Sequence, residues 1–140
     1  MSMDKDIVSI WVSYTEQANE LTNKRLTMSS FFFAISSALL GISIPYLGIS
    51  SLIASIVGIL LCAAWCVMIR SFKILNESKF EVIAELEKEM IIKPYDKEWA
   101  FAKRKKYPKI TIVEMIISLI FMFGFISLVI LSILKMIGKI

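Results

Sequence analysis

Residues 30–69 read SFFFAISSALLGISIPYLGISSLIASIVGILLCAAWCVMI, forty positions without a charged side chain. One bilayer crossing takes about 20 apolar residues, so this stretch is twice the length of a single span. Its punctuation is central, at Pro45-Tyr46-Leu47-Gly48. Proline ends one helix and glycine helps the chain turn, so residues 30–69 are expected to form a transmembrane hairpin. A single helix of that length would run about 60 Å by rise alone, with nothing to draw it out of the bilayer.

Residues 110–134, ITIVEMIISLIFMFGFISLVILSIL, form a third span of 25 residues whose one charge is Glu114. Hydrophobic residues are 57% of the 140-residue chain and the mean hydropathy is +0.73. A water-soluble domain of this size cannot bury so much apolar side chain. The expected fold class is therefore all-α: an integral membrane protein with three transmembrane helices, a hairpin plus one, whose long helices extend into the cytoplasm. The organisation reads as a cytoplasmic N-terminal helix (1–29), the hairpin (30–69), a cytoplasmic helical region (70–109), the third span (110–134) and a tail (135–140). The first apolar run lies behind a long polar segment, and no small-residue cleavage site follows it, so no secretory signal is expected.

The polar segments carry their own patterns. Ile7, Trp11, Tyr14, Ala18 and Leu21 are spaced 4, 3, 4 and 3, which is a narrow heptad seam and not a broad core-facing stripe. Asp4, Asp6, Glu16 and Glu20 share this segment, which disfavours a helix lying flat on anionic lipid. A helix–helix contact is the preferred reading, and an oligomer interface is the expected use of the seam. Residues 70–109 hold 11 Lys/Arg and seven acids. Their first half continues the second span as a helix with an apolar line through Phe72, Leu75, Val82 and Leu86. Pro94 stops it, and Asp96 is expected to cap a shorter helix over 97–106. The uncharged hairpin turn and the basic flanks place the N-terminus and central region in the cytoplasm, with the C-terminus outside.

Several features have both a functional and a packing reading. Ser29, Ser36 and Ser43 recur every seven residues on the most polar span, either as interhelical glue or as the lining of a pore. Glu114, near the start of its span, is expected to pair with Arg70 or Lys109, or else to form a carboxylate ring or a proton relay. Small residues at Ser50, Ala54, Gly58, Cys62 and Cys66 permit close helix approach, within the hairpin or between protomers at Ala54 and Gly58. Lys103, Arg104, Lys105 and Lys106 are first a topology determinant and can also contact anionic lipid. Trp65 and Trp99 read as interfacial aromatics.

Enzymatic chemistry is not expected. The chain has no histidine, which removes imidazole catalysis and most zinc sites. No phosphate loop or nucleophile–base pair is visible. Cys62 and Cys66, four apart on one helix, fit neither disulfide geometry nor a metal site. No cofactor, metal or nucleic-acid partner is expected; the expected partners are further copies of the chain, membrane lipids and a cytoplasmic protein.

Taken together, Trp65, Arg70-Ser71-Phe72-Lys73, Leu75-Asn76, Lys79-Phe80, Val82-Ile83, Glu85 and Glu87, then Pro94-Tyr95-Asp96, Glu98-Trp99 and Glu114, resemble the RipA family of small octameric bacterial membrane proteins. The segment around Tyr14, Ala18, Arg25 and Phe31-Phe32 fits as well. Phe72 departs from the tyrosine usual at that position, and Ile91-Ile92-Lys93 replaces a Leu-Pro-type turn. The resemblance implies a homo-octamer in the cytoplasmic membrane, tied to stress adaptation or antiphage defence. A pore or membrane-perturbing effector is the expected activity; the alternative is a non-conducting scaffold or sensor that docks a partner through its cytoplasmic helices.

Overall fold

The computed structural model describes residues 2–90, 93–104 and 110–138. They form four helices: α1 (Ser2–Ser43), α2 (Ile49–Lys88), α3 (Pro94–Arg104) and α4 (Ile110–Met136). No strand occurs among the described residues. Helices α1, α2 and α4 are each long and apolar enough to cross a membrane. The all-α, three-span architecture is thus as expected.

Helix α1 runs unbroken because residues 2–40 contain neither glycine nor proline. Its threonines and serines do not compete with the backbone. Thr15, Thr22, Ser30 and Ser37 each donate to the carbonyl four residues back. The hairpin turn lies between Ser43 and Ile49, where Pro45 and Gly48 placed it. Gly48 has φ +153°, and its carbonyl accepts the Leu52 amide at 2.9 Å to start α2. Ser51 Oγ donates to the Ser43 carbonyl at 3.0 Å, tying the two helix ends together.

The chain divides into two compact units. The extramembrane unit joins residues 1–25 to 71–109. Here Trp11 and Phe80 both set their rings edge-on to Tyr95, with centroids 6.0 and 5.6 Å away. Lys79 donates to Gln17 at 2.8 Å and lies 5.7 Å over the Tyr14 ring. Helix α3 begins at Pro94, earlier than expected, with proline filling a first-turn position that needs no amide donor. Its cap comes from α2 and not from Asp96. The Glu87 carboxylate, fully buried, accepts the Tyr95 and Asp96 amides at 3.0 and 3.3 Å. A carboxylate at that place satisfies orphan amides and meets the positive end of the helix dipole.

The heptad seam is partly covered inside this unit. Ala18 is 1% exposed and Ile7, Trp11, Tyr14 and Leu21 are half-buried within one chain. Part of the seam thus packs within its own chain, Trp11 against Tyr95 and Tyr14 beside Lys79.

The membrane unit joins residues 26–70 to 110–140. Its core is Trp65, Ile69, Phe125 and Cys62, each no more than 2% exposed. Trp65, expected at the membrane interface, stacks on Phe32 at 6.0 Å with the planes 8° apart and leans on Phe121 at 6.4 Å. Its length and indole suit a polar interior, where the ring N–H finds an acceptor. A Cβ placed on Gly58 would lie 2.4 Å from the Phe125 ring, so α2 and α4 approach closely there. At Gly58 the small-residue stripe therefore meets the third span of its own chain. The Ser118 hydroxyl continues the same contact, donating to the Cys62 carbonyl at 3.2 Å with Cys66 Sγ 3.3 Å away.

Candidate functional site

Two features of the membrane unit have no counterpart in an ordinary apolar bundle. The first is a polar interior. Ser29, Ser36 and Ser43 of α1, Ser51 and Ser55 of α2, and Ser118 and Ser132 of α4 are all buried. The seven-residue spacing in α1 keeps its three serines on one face, and that face meets the other two helices.

At one level of this interior, Ser29 Oγ donates to Glu114 Oε1 at 3.0 Å and accepts the Trp65 indole N–H at 3.4 Å. Glu114 is 7% exposed. One residue from each helix thus meets at a single hydroxyl. Ser43, further along, donates to its own Leu39 carbonyl and accepts Ser51 through its backbone. Ser55 and Ser132 are fully buried, with hydroxyls that meet no partner among the described residues.

With Ser36 at 0% and Ser43 at 1% exposure inside one subunit, these residues and Ser29 face their own bundle as interhelical glue. The same holds for Glu114, whose carboxylate bonds to α1. All four are buried within the single chain. Gly58 is likewise enclosed by Phe125, whereas Ala54 is half-buried and lines an open groove beside the hairpin turn with Ile42, Tyr46 and Ser50. Lys103 and Arg104 end α3, their side chains falling outside what the structure describes, and Lys105 and Lys106 lie outside the described residues.

The second feature is an exposed face that sequence periodicity alone did not single out. Thr27, Ser30, Ala34, Ser37, Ala38 and Gly41 are all exposed on α1. At about 100° per residue they share one face roughly 100° wide. No large side chain stands on it; Phe33 borders one edge, and Phe31 and Ile42 the other. Elsewhere the outward surface is what lipid requires, with Ile49, Ile53 and Leu60 on α2 and Ile116, Ile120 and Phe123 on α4 all exposed. The signal missed was which face of α1 the other spans would cover. Among the described residues no three His, Cys, Asp or Glu side chains come together as a metal site would need.

The fold and these two features define an all-α, three-span membrane protein with a polar interior. The chain belongs to the octameric membrane protein family (8xMP), which matches it over residues 9–134. No curated protein and no solved structure matches it. Family membership supports self-association in a membrane, in agreement with the three apolar helices.

Proposed function

We propose that this chain is the subunit of a homo-octameric ring in the bacterial cytoplasmic membrane, non-enzymatic, acting as a pore or membrane-perturbing effector. Its likeness to the RipA family supports a setting in stress response or antiphage defence. The N-terminal helix and the central charged region lie on the cytoplasmic side, as the distribution of Lys and Arg favours.

One observation carries the pore reading: the small, hydroxyl-bearing outer face of α1, from Thr27 to Gly41. Lipid gains nothing from such a face, whereas an axis shared by eight copies accommodates it, through close helix approach and hydroxyls able to meet water. In this arrangement α1 lines the centre, and α2 and α4 turn their isoleucines and phenylalanines to lipid. The lining role moves from Ser29, Ser36 and Ser43 to Ser30, Ser37 and their neighbours.

Planar-bilayer recording of the purified octamer tests this reading. Discrete conductance steps support the pore. A stable octamer that never conducts, with or without the products of neighbouring genes, leaves the scaffold or sensor reading in its place.

A further inference from the structure

Serines in the membrane unit fall into two groups. Exposed ones such as Ser30, Ser37 and Ser127 donate to the carbonyl four residues back in their own helix. Ser36, Ser55 and Ser132 do not, although all three are wholly buried and their hydroxyls meet no partner among the described residues. An unpaired hydroxyl in an apolar surround is costly, and an internal water with two or more polar neighbours relieves it.

The position of Ser55 and Ser132 supplies such neighbours. Gly58 of α2 lies against Phe125 of α4, which sets the level of the two antiparallel helices. Three positions from each towards the hairpin turn stand Ser55 and Leu128; four further on, Ser51 and Ser132 come level. Ser51 Oγ donates to the Ser43 carbonyl at 3.0 Å, so all three spans bring a serine to this end. At 1.5 Å per residue Ser55 is about 6 Å deeper than Ser51 and Ser132, a gap that bridging water spans. This end is also open. The groove beside the hairpin turn has a volume of about 320 Å³ and is lined in part by Ser43 and Ser51. A water takes roughly 30 Å³ in the liquid, so the groove admits several. In the other direction Phe125 closes the interior. Its wholly buried ring lies so near Gly58 that nothing fits between them, and Ser36 stands at that same level.

We propose that the half of each bundle nearest the hairpin turn is a water-filled vestibule. Water enters by the groove, bridges Ser51, Ser55 and Ser132, and stops at the Phe125 ring, an apolar constriction of the kind that dewets. The vestibule lies inside one chain, so it stands or falls separately from an axial pore and from the number of copies. A hydrated monovalent cation can reach Ser55 from the hairpin side, while Cys62, one turn past Gly58, stays dry.

Radiolytic footprinting of the unaltered protein in lipid nanodiscs tests this, because hydroxyl radicals formed from bound water oxidise the side chains beside it. Leu128, 7% exposed and level with Ser55, should be oxidised several-fold faster than Ile69 of the dry core. Equal rates would overturn the vestibule and turn the two hydroxyls back to their own helix carbonyls. Silver ions in chloride-free buffer supply the second measurement, on membrane fragments open at both faces. With Cys62 and Cys66 replaced by serine, Ser55→Cys should lose most of its later maleimide labelling in denaturant, and the lipid-facing Leu60→Cys should keep it. Retention at both positions, or loss at both, would contradict a water path confined to the interior. With only Cys66→Ser, Cys62 should resist silver and become reactive once Phe125→Ala is added. Reaction of Cys62 beside an intact Phe125 would overturn the closed end, and so would continued resistance in the folded Phe125→Ala protein.

Discussion

Ser29 and Glu114, 85 positions apart in sequence, meet inside the membrane unit with Ser29 Oγ donating to Glu114 Oε1 at 3.0 Å. The bond joins the first span to the third, with both residues buried. An acid in a membrane helix is often a functional group by default. This one is held by a serine that also takes the Trp65 indole, which makes it a structural tie between all three helices.

Ser29→Ala should therefore lower stability by about 1 kcal/mol, the scale of an interhelical hydrogen bond in a membrane protein. Glu114→Leu should cost more than Glu114→Gln, since the amide still accepts from Ser29. Thermal unfolding in detergent checks the order, and equal losses for the two Glu114 changes would argue against the tie.

Gly58→Ala places a methyl group against the Phe125 ring, where the ideal Cβ position is 2.4 Å from a ring carbon. Overpacking of this kind costs about 1–3 kcal/mol. Phe125→Leu makes room, so the double change should recover part of the loss. A double-mutant cycle on unfolding free energies measures the coupling.

Glu87→Ala removes the acceptor for the Tyr95 and Asp96 amides. Losing a helix cap costs about 0.5–2 kcal/mol. Hydrogen exchange should report the loss locally, with faster exchange across α3 while α4 amides keep their protection. Glu87→Gln, which retains an acceptor, should lie between the two.

Orientation is accessible to cysteine labelling without Cys62 and Cys66. Glu85 and Gly138 are both exposed. With Glu85→Cys, an impermeant maleimide should react only after cells are opened; with Gly138→Cys it should react in intact cells. The reverse pattern would invert the topology.

Much of the fold was legible because it depends on local physics. Forty uncharged residues with Pro45 and Gly48 at the centre define a hairpin, and Pro94 marks a new helix wherever its cap comes from. Interior placement was less legible, because a period of seven says that a face is distinct and not what covers it. Ser36 and Ser37 are adjacent in sequence, one wholly buried and the other exposed. Only the arrival of α2 and α4 on the Ser36 side separates them. The same holds for Trp65, whose residue type suits the interface and whose position places it in the core. The Ala18 seam was recognised as a contact, but the helix it meets belongs to its own chain.

The central claim, that the outer face of α1 lines a conducting axis, is tested most directly by thiol modification during single-channel recording. On the background lacking Cys62 and Cys66, Ser37→Cys should lose conductance when a charged methanethiosulfonate is added, and Ser36→Cys should not respond. Block at the Ser36 position with none at Ser37, or an assembled octamer that passes no current at all, would contradict the account.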